Sequence, residues 1–295
     1  LFKKALKIPV ATVGSYNLEL AEEVISENKA DVIAMARTMI ADPECVNKAR
    51  TGNDNKIRHC VRCNTCINRS YNLFLTVRCA VNPVIGGEAE FVNPPALDSK
   101  KKVVVIGGGP AGMEAARRAA ERGHEVVLFE KETSLGGTLR MASAAAFKTD
   151  MKKYLDWSAR MTMNIPGLVV KLSTEAIPQI VKAEKPDDLV IAAGSALLVP
   201  VIPGIKKQNV VWAGDVEIGK VKVGEKVVVT GAGLTGLETS LDLAWQGKKV
   251  TLIDMLPTDR IGEGSPAINI LALKQMLGEL NVEIKTEVEL RAVTG

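Results

Sequence analysis

The sequence predicts an α/β chain built on parallel sheets, and three observations carry that prediction. Short apolar strands alternate with helix-patterned stretches through residues 8–50, and again from residue 103 onward. Two turns of the form G-x-G-x-x-G, at residues 107–112 and 231–236, each join an apolar strand to a helix. Between the first alternating run and the first of these turns lie four of the five cysteines.

The bulk properties narrow the class. At 295 residues the chain is sized for two or three domains, and 46% apolar content supports sizeable cores. The net charge of +4 comes without any basic block interleaved with aromatics, so nothing points to nucleic acid. No apolar run has the length of a membrane span. No secretory signal opens the chain, and a cytoplasmic location is the expectation. The chain begins at Leu1 without an initiator Met, inside a βα unit, and ends just after a strand-like run. It reads as a piece of a longer protein.

Residues 8–13 are predicted as a buried strand ending at Gly14, and residues 18–28 as a helix with Leu20, Val24 and Ile25 on one face. A second strand covers 31–35. It leads into Ala36 and Arg37 and then into a helix opened by Asp42 as N-cap, with Pro43 at its first position. Gly14 and Arg37 both fall just past strand C-termini, where α/β barrels build their sites, and an Arg there suits a phosphate. A surface salt bridge is the plain alternative for Arg37.

Residues 59–83 read His-Cys-Val-Arg-Cys-Asn-Thr-Cys, then twelve residues, then Cys-Ala-Val-Asn-Pro. Cys60, Cys63 and Cys66 can converge from one tight turn, and Cys79 returns to close the shell. Thiolates at that density select an iron–sulfur cluster or zinc. Two disulfides are the weaker reading, because nothing in the chain marks an oxidising compartment. What lies on either side of the cysteines, the strand end with Arg37 before them and the nucleotide units after, favours the cluster over zinc. Cys45 lies in a helix-like stretch and is most simply a packed residue.

Residues 86–102, with Asn93-Pro94-Pro95 and a lysine run, read as a linker. A strand from residue 103 then enters the first glycine turn. Gly107 makes the tight turn, Gly109 lets the backbone approach a pyrophosphate, and Gly112 lets the helix pack on the strand. The next strand, 126–129, ends in Glu130, 23 residues after Gly107 and placed to accept from a ribose hydroxyl. In Leu135-Gly136-Gly137-Thr138 the glycines allow a close approach of backbone to ligand, with an ordinary turn as the alternative. A helix over 150–163, a strand near Val169 and a buried strand over 189–193 follow, and Pro200 to Gly204 marks a crossing between domains.

The pattern then repeats. Gly231, Gly233 and Gly236 follow a strand from residue 226, and Asp254 lies 23 residues after Gly231. An acid at that place favours NADH, because a 2′-phosphate is repelled there, and no Arg follows closer than Arg260. An amphipathic helix over 266–280 and strands over 282–285 and 288–293 are predicted to end the chain.

This order resembles the NADH:flavin oxidoreductases related to Old Yellow Enzyme, in the group of 2,4-dienoyl-CoA reductases, enoate reductases and trimethylamine dehydrogenases. The resemblance covers essentially the whole chain. Met35-Ala36-Arg37 followed by Ile40-Ala-Asp-Pro43 looks like that family's last barrel strand and loop. Gly14, Ala36 and Arg37 are thereby implied at the FMN phosphate. Cys79-Ala-Val-Asn-Pro83 looks like the fourth cluster ligand, so Cys60, Cys63, Cys66 and Cys79 are implied to hold a [4Fe–4S] cluster. The usual spacing there is C-x2-C-x3-C. Here the third cysteine comes one residue early, which predicts a locally shifted turn with Cys66 kept as ligand. Gly107 to Gly112 with Glu130 is similar to the family's FAD site, where Ala111 and, after Gly137, Thr138 also contact the nucleotide. Gly231 to Gly236 with Glu238 resembles its NAD(P)H domain.

The implied architecture is the end of a (β/α)8 barrel over 1–58, a cysteine-rich iron–sulfur segment and linker over 59–100, an incomplete FAD-binding Rossmann-like domain over 101–205 and an NAD(P)H-binding one over 206–295. The implied function is transfer of electrons from NADH through FAD and the cluster to FMN, for reduction of an activated C=C bond in a small molecule of the enoate or dienoyl-CoA type. An amine dehydrogenase of the trimethylamine type is the alternative. There the first Rossmann unit holds ADP only, and electrons leave the cluster for a carrier protein. A non-catalytic nucleotide-binding piece is the third reading. On any of them the catalytic and substrate-choosing residues are expected in the barrel outside this sequence, and the resemblance leaves room for a homo-oligomer.

Overall fold

The computed structural model describes residues 2–91 and 94–294, so Asn93 of the predicted linker lies outside the described residues. The chain divides into two units, Leu1–Ala96 and Leu97–Gly295.

In the first unit β1 (Ala11–Val13) and β2 (Val32–Ala34) pair in parallel, Thr12 opposite Ile33. The crossover helix Leu18–Ser26 starts at Asn17, whose side chain accepts from the Leu20 N–H at 2.9 Å. β1 is not the buried strand expected. Its residues stand largely open, Val13 among them, because the sheet has two strands and no third covers either edge among the described residues. Helix Ala36–Ala41, unforeseen in the sequence, follows β2 directly. The helix assigned to an Asp42 cap instead runs Cys45–Arg50 from Glu44. Asp42 is buried and extended. Its carboxylate accepts from the Glu44 N–H, but also from the Arg58 N–H at 2.9 Å and from Lys48 at 2.6 Å, which commits it to more than a cap.

The second unit holds two parallel sheets. The first, in order β5-β4-β3-β6, comprises β3 (Lys102–Ile106), β4 (Glu125–Phe129), β5 (Leu168–Lys171) and β6 (Asp188–Ile191). Its helices Pro110–Glu121 and Thr149–Met163 cover Val103, Val105, Val126 and Leu128 with Met113 and Ala116, and Val181 covers the opposite face at Val104, Val127 and Phe129. Buried Arg117 ties the two helices: it donates to the Ser158 backbone oxygen at 3.0 Å and to the Ser158 and Thr162 hydroxyls at 2.9 Å, and pairs with Glu114. β6 is exposed rather than buried, being an edge strand.

The second sheet runs β7-β8-β9, with β7 (Lys226–Thr230), β8 (Lys249–Ile253) and β9 (Glu283–Lys285). Helices Leu234–Trp245 and Ala267–Glu279 bury Leu237, Leu241, Leu273 and Leu277 against Val229 and Leu252. The predicted strand over 288–293 does not form. Its segment has no neighbouring strand, and its N–H groups go singly to unconnected carbonyls, Val288 to Asp254 and Val293 to Pro203, both at 2.9 Å. Lys148 pairs with Glu238, and Phe147 meets the Trp245 ring edge-on at 5.3 Å, so the two nucleotide folds touch through these residues. Among the described residues no helix is long and apolar enough to cross a membrane.

Candidate cofactor sites

The cysteine site is assembled from three stretches of the first unit. Cys60, Cys63, Cys66 and Cys79 line one cavity together with Arg37, Ile40, Val61, Asn64, Ala80 and Val81. The turn carrying the first three is sharply wound. Arg62 (φ 52°) and Asn64 (φ 57°), on either side of Cys63, are both left-handed non-glycine residues. Cys66 opens into a single helical turn, Thr65–Ile67, which widens into π-helical Asn68–Asn72, closed by Leu73 N–H to the Asn68 oxygen at 3.0 Å. That wound segment is where the early third cysteine falls.

Cys79 is placed by Asn82, which is buried three residues on. Asn82 donates to the Ile40 oxygen at 3.0 Å and accepts from the Val84 N–H, while Arg58 donates to the Val81 oxygen at 2.6 Å. Through the Arg58 N–H and Asp42, the start and the return of the cysteine segment hang on one buried carboxylate.

All four are free thiols, and burial pushes Cys60 and Cys79 upward, the Arg37 charge pulling Cys60 part of the way back. No three His, Cys, Asp or Glu side chains among the described residues stand close enough together to share an ion. The donor set nevertheless fits a soft metal group: four cysteines line one cavity with apolar Ile40, Val61, Ala80 and Val81 and a guanidinium as the charged neighbour. Cys45 is the packed residue expected, fully buried with its sulfur 3.4 Å from that of Met39.

Arg37 lies three residues beyond β2, on the first turn after Ala36, and reaches across to the turn after β1, where Nη2 donates to Ser15 Oγ at 2.8 Å, next to Gly14. The structure thus brings Gly14, Ala36 and Arg37 to one end of the β1–β2 pair.

In the second unit each glycine turn is bound to its acid. Glu130 accepts from the Gly108 N–H at 2.6 Å and the Glu132 N–H at 2.9 Å. Asp254 accepts from the Ala232 N–H at 2.5 Å and the Leu256 N–H at 2.7 Å. Both acids bond to the middle of their turn and to the residue two positions on, a pairing the spacing alone did not disclose.

The glycines divide by role as well. A Cβ on Gly112 or Gly236 would lie 1.8 Å from the carbonyl oxygen of Gly107 or Gly231, whereas one on Gly109 or Gly233 would meet nothing within 4 Å. Gly109 and Gly233 are the N-caps of their helices, so the open space lies at helix N-termini, whose N–H groups suit an anion. Gly137 backs onto it: its Cβ would come 3.1 Å from the Gly109 Cα, and the Gly136 N–H donates to the Gly108 oxygen at 2.8 Å. Ala111 and Thr138 are exposed beside this space.

These geometries agree with what the chain is similar to. The family described as pyridine nucleotide-disulphide oxidoreductase matches residues 101–295, and that described as NADH:flavin oxidoreductase / NADH oxidase matches residues 1–56. The chain belongs to these oxidoreductases. An NADH oxidase of Thermoanaerobacter brockii is 45% identical over 260 residues, covering 86% of this chain and 40% of that protein. A cinnamate reductase of Clostridium sporogenes is 39% identical over 268 residues, covering 90% and 39%. A solved 2-naphthoyl-CoA reductase superposes with a TM-score of 0.91 at 33% identity, over 99% of this chain and 44% of that one. The chain therefore spans about two fifths of the length of the curated relatives it matches. The enoate-reductase resemblance and the α/β architecture, barrel strands first and Rossmann-like units after, are borne out for this NADH:flavin oxidoreductase chain.

Proposed function

We propose that the chain carries the electron-delivering segments of an NADH-dependent ene-reductase, with residues 1–58, 59–100, 101–205 and 206–295 as its barrel, cluster, FAD and NADH parts. Cys60, Cys63, Cys66 and Cys79 would hold a [4Fe–4S] cluster. Gly107, Gly109, Ala111, Gly112, Glu130, Gly137 and Thr138 would hold FAD. Gly231, Gly233, Gly236 and Asp254 would hold NADH, and Gly14, Ala36 and Arg37 the FMN phosphate. When bound, these groups supply hydride acceptance, electron splitting and delivery to an activated carbon–carbon double bond, as in an unsaturated acid or thioester.

The residues here do the binding and placing. The helix N-termini after Gly109 and Gly233 would receive the pyrophosphates, and the left-handed turn at Arg62 and Asn64 would present the thiols. Lys148 and Glu238 hold the two nucleotide folds in contact. The observation that carries the reading is the single cavity lined by all four thiols, next to an Arg at a barrel-strand end.

Anaerobic purification followed by iron, acid-labile sulfide and zinc analysis tests it. About four irons per chain and a broad visible band that bleaches on reduction are expected. Stoichiometric zinc without iron after reconstitution would sink the proposal.

A further inference from the structure

Arg37 does something that a phosphate ligand alone does not require. Its Nη1 donates to Asn64 Oδ1 at 2.5 Å, reaching 27 residues along the chain into the cysteine turn, while Nη2 is on Ser15. It also lines the thiol cavity. Both partners are neutral, and among the described residues no carboxylate stands at ion-pair distance, so its charge is not compensated by the protein. Asn64 is left-handed between Cys63 and Cys66, a conformation its short polar side chain tolerates, and that side chain is what Arg37 grips.

We propose that Arg37 is a positioning residue of the cysteine site: through Asn64 it fixes the turn that presents Cys63 and Cys66, and its charge balances the thiolate cage. This rests on the cluster reading above and extends it, because the resemblance assigns Arg37 to the FMN phosphate only. A cation beside four thiolates favours the more negative, reduced form of whatever they hold, so its removal lowers the reduction potential. Groups that hold metal ligands in place are commonly worth about 10–100-fold in affinity, and Asn64 follows Cys63 directly in the turn that Arg37 holds.

The test compares the unaltered chain with Arg37→Gln, Arg37→Lys and Asn64→Gly after anaerobic reconstitution with ferrous iron and sulfide. The glycine variant keeps the left-handed backbone while removing the amide. Readouts are iron content, chelator competition, potential by EPR-monitored titration and FMN retention, with circular dichroism and resistance to proteolysis within residues 1–96 as the check that each variant is folded. Arg37→Gln is expected to lower the potential and Arg37→Lys to keep it. Arg37→Gln and Asn64→Gly are each expected to weaken iron retention by about 10–100-fold.

Wild-type potential and iron retention in Arg37→Gln and Asn64→Gly, with only FMN lost from Arg37→Gln, would overturn the inference and leave the cluster reading intact. Failure of the unaltered chain to take up iron would overturn both.

Discussion

Two kinds of glycine contact separate folding from binding at the residue scale. Gly112→Ala puts a methyl 1.8 Å from a carbonyl oxygen, so it should destabilise the second unit by about 1–3 kcal/mol and remove flavin-nucleotide binding. Gly109→Ala has open space and an ordinary φ of −73°, so its thermal midpoint should stay within a degree or so of wild type while the same binding is lost. Equal loss of stability in both, measured by calorimetry, would contradict this division. Asp254 makes a parallel case. Asp254→Ser combined with Met255→Arg should shift preference from NADH toward NADPH by at least about tenfold, roughly 1.4 kcal/mol. Tighter NADPH than NADH binding by the unaltered chain would show the assignment to be wrong. Which glycine is tightly packed and which stands open follows from spacing, which is why that division was legible in the sequence. The bonds from Glu130 to Gly108 and from Asp254 to Ala232 were not, since spacing records that an acid stands nearby and not what its oxygens do.

At the scale of elements, the sequence misled where a residue served two structures. Asp42 has the look of a helix cap, yet its carboxylate also holds Arg58 and Lys48. The apolar run at 288–293 has strand composition but no edge to pair with, and composition cannot supply a neighbour. The helix Pro178–Ala183 went unread although a proline at its start was the available signal.

Two packed elements give further tests. Removing Arg117 leaves Glu114, Ser158 and Thr162 without their shared donor, and Arg117→Ala should cost about 3 kcal/mol by denaturant unfolding.

Glu217 accepts from the Thr239 hydroxyl. Burial pushes its carboxyl upward, Asp242 and Glu238 add to the rise, and Lys148 opposes it. A raised acid contributes stability that is present below its unfolded pKa and is lost as pH rises through the folded value. Glu217→Gln keeps the acceptor and removes the charge. It should therefore raise the melting temperature at pH 8 and converge on wild type below the ordinary carboxylate range. Equal shifts at both pH values would show that ionisation of Glu217 is not what costs stability.

On the scale of the molecule, the sequence announced the order of its parts because each part has its own periodicity or spacing. What it left dark was the connection between parts: the bonds from Asp42 through Arg58 to the Val81 oxygen, and the contact of Lys148 with Glu238, 90 residues away. Such contacts depend on folding distance, not sequence distance. With FAD added, the chain should reduce an artificial dye with NADH, and Gly236→Ala should abolish that rate. Undiminished dye reduction in that variant would place the nicotinamide elsewhere.

The acid-to-turn bonds in both nucleotide folds join groups of the chain itself. The loops proposed to grip a pyrophosphate therefore lose their conformational freedom during folding rather than at the moment of capture. Association should then proceed in one kinetic phase, at a rate set by diffusion and orientation, with no slow isomerisation following it.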